Sequence, residues 1–524
     1  MSTPARHIVF IMADQLRADH LGVEGSYPVS TPTLDALAAR GARFTRTFVA
    51  NPVCMPNRAT ILTGQWPSVH GLRTNGLPLD WSAETFPRVL RSQGWRTSAV
   101  GKLHLQPMGY PFEDYQLDEI QDVMPSLWER AVEQFGSPFR SWEDYQRHAE
   151  GDVQLPPDYY GFDDVSLTVG HGDRLSGNYV AWARERGWDP QTMAGVAQSP
   201  DVFTPWDHVY ESAVPAALHP TTYVTDQAIE RIDEVATTGQ SLMLHVSFPD
   251  PHHPFAPPRE YFHRHRPEDM PLAPGFHETH ERSPEYIRGL IARRGTPEPD
   301  PMMLWSPTEE QYRAALAAEL GGIEFIDDSI GRLVDALERN GLLDDTLIVF
   351  TADHGDAFGE HGLMLKHFSH YRPIVRVPLL MAGPGIEAAV HDQLVSSADI
   401  APTVLALVNA PALPRAQGQS LKPLVQGQPL AARQRLLIEE DQPFGMDGLP
   451  GPVRMRTLVT DRFRLTEIPG HGITELYDLR TDPGESMNLA ADPAAVELLA
   501  EARREMLDAV IELVDSSTLP FHAA

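Results

Sequence analysis

The sequence predicts an α/β fold: a central mixed, mostly parallel sheet flanked by helices, with a smaller C-terminal α+β subdomain. Three observations carry this. The runs at residues 7–12, 241–248 and 346–351 are almost continuously apolar, as strands buried on both faces of a parallel sheet are. Helical patterns alternate with these runs along much of the chain. Polar residues able to bind or react follow directly on the strands, where open α/β sheets place their sites.

With 42% hydrophobic and 22% charged residues, the 524-residue chain has an ordinary globular composition and exceeds what one core serves. Two units are expected: a main α/β domain over 1–415, with an irregular insertion at about 106–220, and a subdomain over 416–524. The formal net charge of −30 speaks against nucleic acid or an anionic membrane surface as a partner. An anionic ligand would be captured by a few convergent cations in a pocket, isolated from the general field by burial and screening. The lead into the strand at 7–12 is too short and wrongly flanked for a signal peptide. No run could span a bilayer, so a cytoplasmic protein is expected.

The strand at 7–12 delivers Asp14 and Gln15, hard oxygen ligands for a divalent cation; read alone, the same pair is a turn cap. Residues 31–41 form a helix capped by Thr31, with Pro32 in its first turn and Gly41 at its end. Cys54 is the only cysteine, so no intrachain disulfide exists and it serves packing or chemistry. A helix begins there, with Pro56 in its first turn; this seats Cys54 where free N–H groups favour an anion and puts Arg58 about one turn on. A helix at 84–93 leads to a strand at 95–100, which opens into Gly101, Lys102, Leu103 and His104. Strand alternation puts Lys102 and His104 on one side; without context they read as a solvated strand end. From 106 to 220 the periodicity fails and Trp, Tyr, Pro and Asp accumulate, which suits an insertion shaping the mouth of a site or a homo-oligomeric contact.

A helix at 225–235 precedes the strand at 241–248, and then come His252 and His253 among prolines that hold the turn extended. The pair could serve a transition metal, yet no third ligand sits at local spacing. Residues 308–340 read as a long helix, with Gly321 and Gly322 a break or a close packing point and the internal acids a solvated face. The strand at 346–351 ends in Asp353 and His354, with Lys366 further on and another strand at 375–381. Two strands distant in sequence can thus close one metal site. Beyond a helix from Ser397 and a linker at 413–428, strands at 436–440, 455–459, 463–467 and 475–479 and a helix at 494–514 make the subdomain.

Cys54, Pro56 and Arg58, followed by Ala59, Thr60, Ile61, Leu62, Thr63 and Gly64, resemble the signature of the type I sulfatases, a branch of the alkaline phosphatase superfamily. Lys102 with His104, His252 between prolines, the run from Asp353 to Lys366 and the segment 475–489 resemble further elements of that family. The resemblance implies that a formylglycine-generating enzyme oxidises Cys54 to formylglycine, whose hydrate is the nucleophile against a small-molecule sulfate monoester, in the manner of an arylsulfatase. It implies one divalent cation held by Asp14, Gln15, Cys54, Asp353 and His354, with Ca²⁺ favoured by the oxygen ligands and Mn²⁺ the alternative because an imidazole is included. Arg58 would act with the metal to ease ionisation of the hydrate, Lys102 and Lys366 would neutralise the sulfuryl oxygens, His104 would act beside the formylglycine, and His252 with Lys366 at the leaving oxygen. Gln15 and His354 depart from the commoner Asp and Asn and lean toward a phosphonate monoester hydrolase or phosphodiesterase with the same nucleophile; Lys102 and His104 lean against it. A remote alternative is a non-catalytic metal- or anion-binding protein in which Cys54 stays a thiol.

Overall fold

The computed structural model describes residues 4–109, 142–151, 153–298, 300 and 302–513. The strands of the main domain are β1 (His7–Ala13), β2 (Ala42–Phe48), β3 (Arg96–Gly101), β4 (Asp164–Val169) and β5 (Ser176–Gly177). They continue with β6 (Leu242–Phe248), β7 (Thr346–Ala352), β8 (Arg376–Ala382), β9 (Ala389–His391) and β10 (Val395–Ser396). They form one sheet in the order β10-β2-β8-β7-β1-β6-β3-β4-β5, with β9 beside β2. β8 runs antiparallel to both its neighbours, which makes a mostly parallel sheet mixed.

Every residue of β1, β6 and β7 is buried, because alternate side chains feed two different cores. Val9 and Ile11 face one core with Ile232 and Leu316 from the helices at Pro220–Thr238 and Glu309–Arg339. Ile8, Phe10 and Met12 face the other, with Ile61, Leu90 and Val404 from the helices at Cys54–Thr63, Phe86–Ser92 and Ile400–Leu407. Each such side chain contributes about 1.5–3 kcal/mol when fully buried. The register sets the site. Ala13 stands opposite Phe248 on one side and Ala352 on the other, so three strands end level and the segments after them emerge side by side. Gly101 of β3 pairs with Ser247, one step short of that level, so the next residue, Lys102, comes to the same edge.

Four expectations are corrected. The stretch 106–220 is not wholly an insertion: β4 is a strand of the central sheet, paired in parallel with β3, and residues 110–141 lie outside the described residues. The acids inside the long helix are not all a solvated face: Asp328, Asp335 and Glu338 are exposed, but Glu319, Glu324 and Asp327 are buried. Glu319 pairs with His20 Nδ1 at 2.7 Å, Glu324 with Arg264 Nη1 at 2.9 Å, and Asp327 accepts from the backbone N–H groups of Thr33 and Leu34 at 3.0 and 2.8 Å. Asp327 therefore does the capping that the sequence assigns to Thr31, whose hydroxyl donates instead to Asp35. The segment after β6 turns sharply rather than running extended, with Asp250–Pro251 and His253–Pro254 both cis.

The second sheet is antiparallel, β11 (Arg435–Gln442), β12 (Val453–Thr460), β13 (Phe463–Ile468) and β14 (Ile473–Asp478), paired in that order. The helix Val496–Glu512 covers it, with Ala502 and Met506 against Leu437, Leu458 and Leu465. β11 is also stitched to the main domain: Glu439 N–H donates to Ala50 O at 2.8 Å and Trp66 Nε1 donates to Leu437 O at 2.8 Å. No helix among the described residues is long and apolar enough to cross a membrane.

Candidate active site

Cys54 opens its helix, with extended Val53 before it, and its side chain is buried beneath the sheet edge. Its Sγ lies 3.0 Å from His354 Nε2 and 3.5 Å from Lys366 Nζ. One turn on, Arg58 donates from Nε to Asp353 Oδ2 at 2.7 Å and from Nη1 to Lys102 O at 2.8 Å and Ser247 Oγ at 2.9 Å. Asn57 bridges the same parts, donating to Asp353 O at 2.6 Å while its Oδ1 accepts from Ser397 Oγ at 2.6 Å.

Asp14 and Gln15 lie past β1 as the sequence predicts, and Gln15 adopts a left-handed φ of 59°. Asp353 Oδ1 accepts from the backbone N–H groups of Gln15 and His354, each at 3.0 Å, which locks the two strand ends together. Gln15 Nε2 donates to Asp356 Oδ2 at 2.8 Å, so its Oε1 turns to Lys366 Nζ, also at 2.8 Å. His354 Nδ1 lies 2.9 Å from Gly355 O and donates there, which leaves Nε2 with its lone pair facing Cys54.

Lys102 Nζ donates to Asp14 Oδ2 and lies 2.7 Å from His171 Nε2. Lys366 Nζ lies 2.9 Å from His252 Nε2, and the rings of His171 and His252 stack with centroids 3.8 Å apart. His252 Nδ1 bonds to His253 O, which directs its bare Nε2 at Lys366. His253 stacks on His252 and its Nδ1 meets Gln15 Nε2 at 3.2 Å. His104 comes by a different route from the one expected: the strand ends at Gly101, and left-handed φ values at Gly101 (96°) and His104 (54°) replace the alternation. Its Nδ1 has no hydrogen-bond partner among the described residues.

Burial pushes both aspartates up, but neighbouring cations outweigh it: Lys102 and Arg58 hold Asp14 below the ordinary carboxylate range, and Arg58 does the same for Asp353. Burial lowers His354 to about 4 and, reinforced by the cations, holds His104, His171 and His252 well below 6.5. These imidazoles are therefore neutral bases facing ammonium groups.

The residues fit a divalent cation. Asp14, Cys54, Asp353 and His354 are all buried and offer ligand atoms within 4.8 Å of one another. Asp14 Oδ1 is buried with no hydrogen-bond partner among the described residues, and a buried carboxylate oxygen left so is well matched to a cation. Sequence reasoning missed His171 and the bracing roles of Asn57 and Asp356. His171 follows β4, inside the stretch read as irregular, so nothing local marks it.

Fold and site together define a hydrolase of the alkaline phosphatase superfamily. The family model described as Sulfatase matches residues 6–410, and one described as N-sulphoglucosamine sulphohydrolase, C-terminal, matches 359–512. The chain belongs to the sulfatase family and is a sulfuric ester hydrolase. It is 27% identical over 498 residues to an arylsulfatase of Clostridium perfringens, covering 92% of this chain and 90% of that one. It is 28% identical over 506 residues to a choline-sulfatase of Rhizobium meliloti, covering 94% and 84%. Among solved structures, a phosphonate monoester hydrolase from Silicibacter pomeroyi matches with a TM-score of 0.76 and 26% identity, over 98% of this chain and 96% of that one.

Proposed function

We propose that the enzyme hydrolyses sulfate monoesters, arylsulfatase-like, through a formylglycine hydrate formed from Cys54. The observation that carries this reading is the buried convergence on Cys54 Sγ of His354 at 3.0 Å and Lys366 at 3.5 Å, inside the ligand set with Asp14 and Asp353. Asp14, Gln15, Asp353, His354 and the modified residue 54 would hold one divalent ion, Ca²⁺ favoured and Mn²⁺ the alternative. Bound there, the ion makes a hydroxyl easier to ionise and polarises a sulfuryl oxygen.

The chain's own residues supply the rest. Arg58 neutralises Asp353 and keeps it aimed at the site. Lys102 and Lys366 neutralise the sulfuryl oxygens as one hydroxyl of the hydrate, ionised by release of its proton to water, attacks sulfur in line and the sulfur–oxygen bond to the alcohol breaks. His252, its Nδ1 committed to His253 O, works with Lys366 on the leaving oxygen, to which the ammonium can pass a proton. His104 then takes the proton of the second hydroxyl, the carbon–oxygen bond to sulfate breaks, and the aldehyde reforms.

Gln15 and His354, together with the structural likeness above, favour a second reading, a phosphonate monoester hydrolase or phosphodiesterase with the same nucleophile. Lys102 separates the two, because a sulfuryl group offers it an oxygen where a phosphonate monoester or a diester must place a carbon or alkoxy substituent. Protein made alongside a formylglycine-generating enzyme is digested, the peptide containing residue 54 is weighed, and kcat/KM is measured on matched nitrophenyl sulfate and phosphonate esters. We expect an aldehyde at residue 54, turnover that tracks the converted fraction, and the sulfate as the better substrate. A better phosphonate ester installs the second reading, and full turnover by the unconverted thiol overturns the nucleophile.

A further inference from the structure

We propose that the C-terminal sheet is a working part of the active site, in which Glu440 on β11 is a positioning residue for Lys366. The inference rests on the reading that Lys366 acts at the leaving oxygen.

Lys366 sits in a turn of unusual backbone. Leu365, His367 and Phe368 have φ values of 71°, 77° and 54°, and none of them is glycine. Left-handed conformations of such residues persist only where the surroundings over-determine them. Upstream the main domain does this with Asp356, whose Oδ1 accepts from Leu365 N–H at 2.7 Å. Downstream the partner comes from the other sheet. Glu440 Oε1 accepts from Phe368 N–H at 3.2 Å, and Oε2 pairs with His370 Nε2 at 3.0 Å. Gln442, two residues along the same strand and on the same face, places Nε2 3.0 Å from His367 Nδ1 and donates to Glu440 Oε1 at 2.9 Å. His370 is held from its other side by Thr457 on β12, at 2.7 Å.

The strand reaches the nucleophile as well. Gln442 Oε1 accepts from Thr74 Oγ1 at 3.0 Å, the next residue, Asn75, accepts from Met55 N–H at 3.2 Å, and Glu439 N–H donates to Ala50 O at 2.8 Å. One strand thus braces both the turn of Lys366 and the start of the Cys54 helix. Glu440 is 1% exposed. Burial alone would raise its carboxyl, but hydrogen bonds from His367 and His370 outweigh that and hold it below the ordinary range. A buried ionised carboxylate is costly without such partners, and here the partners belong to the Lys366 turn.

The test is a double-mutant cycle in the full chain, with Glu440→Gln and Lys366→Ala, reading kcat/KM on aryl sulfates of graded leaving-group pKa and checking each variant by circular dichroism and melting. Glu440→Gln should lose roughly ten- to a hundredfold, as a misplaced group does, and more on poor leaving groups than on good ones. In the Lys366→Ala background the same change should cost less than about twofold, because the residue it positions is gone. Equal losses in both backgrounds, or a loss indifferent to the leaving group, overturn the inference and leave the Lys366 reading standing. Undiminished turnover by Lys366→Ala alone overturns both. If Glu440→Gln does not fold, Gln442→Ala, which removes the contact to His367, runs the same cycle with the same criteria.

Discussion

Glu143 is a carboxyl that the fold prefers neutral. Burial pushes it up to about 7 from 4.5, against hydrogen bonds from Tyr159 OH at 2.8 Å and Leu105 N–H at 3.1 Å. Raised in this direction, its stabilising contribution is complete below the unfolded value of 4.5 and is lost as pH climbs through about 7. Glu143→Gln cannot ionise, so relative to wild type it should gain roughly 2–3 kcal/mol of unfolding free energy between pH 5 and pH 8. Urea unfolding of both proteins at the two pH values checks this, and a difference that does not change with pH would contradict it. Reactive residues and bracing residues differ in how well a sequence displays them. Cys54, Asp14, Asp353 and Lys366 follow strands or sit in dense motifs, and it is the resemblance of those motifs to a family's, not any one residue alone, that singles them out. His171 and Glu440 meet partners 69 and 70 residues away, Lys102 and His370, and only the folded chain joins them.

At the scale of elements, the long helix Glu309–Arg339 was legible as such in the sequence, and Thr308 and Gln311 close its start with a reciprocal capping box. Whether Gly321 and Gly322 break it was not, because the answer lies in what packs across them. A Cβ on Gly321 would stand 2.3 Å from Tyr261 O and 2.9 Å from its carbonyl carbon, whereas one on Gly322 would meet only Pro251 Cβ at 3.9 Å. In an exposed helix both changes to alanine would stabilise by about 1 kcal/mol. Here they should part company: Gly322→Ala should keep that gain, and Gly321→Ala should lose about 2 kcal/mol or more, since backbone cannot step aside as a flexible side chain does. Thermal or urea unfolding of the two variants decides it, and two gains of equal size would mean that Tyr261 yields. β4 was hidden for a related reason. Asp164 to Val169 is too short a run to stand out among tryptophans, tyrosines and prolines, and its pairing with β3 makes it a strand.

At the scale of the whole molecule, the site is a small cationic island in an acidic protein. Arg58, Lys102 and Lys366 are buried beside two aspartates, while the chain as a whole carries a formal −30. For an approaching anionic ester the two fields oppose each other, and their ranges decide which one governs. At about 10 mM salt the Debye length is roughly 30 Å, so much of the molecule's negative charge acts on the ester; at 0.15 M it is roughly 8 Å, and only groups near the mouth do. The buried cations are screened far less, so added salt removes the repulsion and leaves the capture. For an aryl sulfate, kcat/KM should therefore rise, by about two- to fivefold, between about 10 and 150 mM of an inert salt, with kcat nearly unchanged because the bound ester is already inside the local field. Steady-state kinetics across that range, with divalent ion held constant, test the prediction. A fall in kcat/KM would mean that cations at the mouth, rather than the buried set, govern approach, and that the acidic exterior has no part in substrate access.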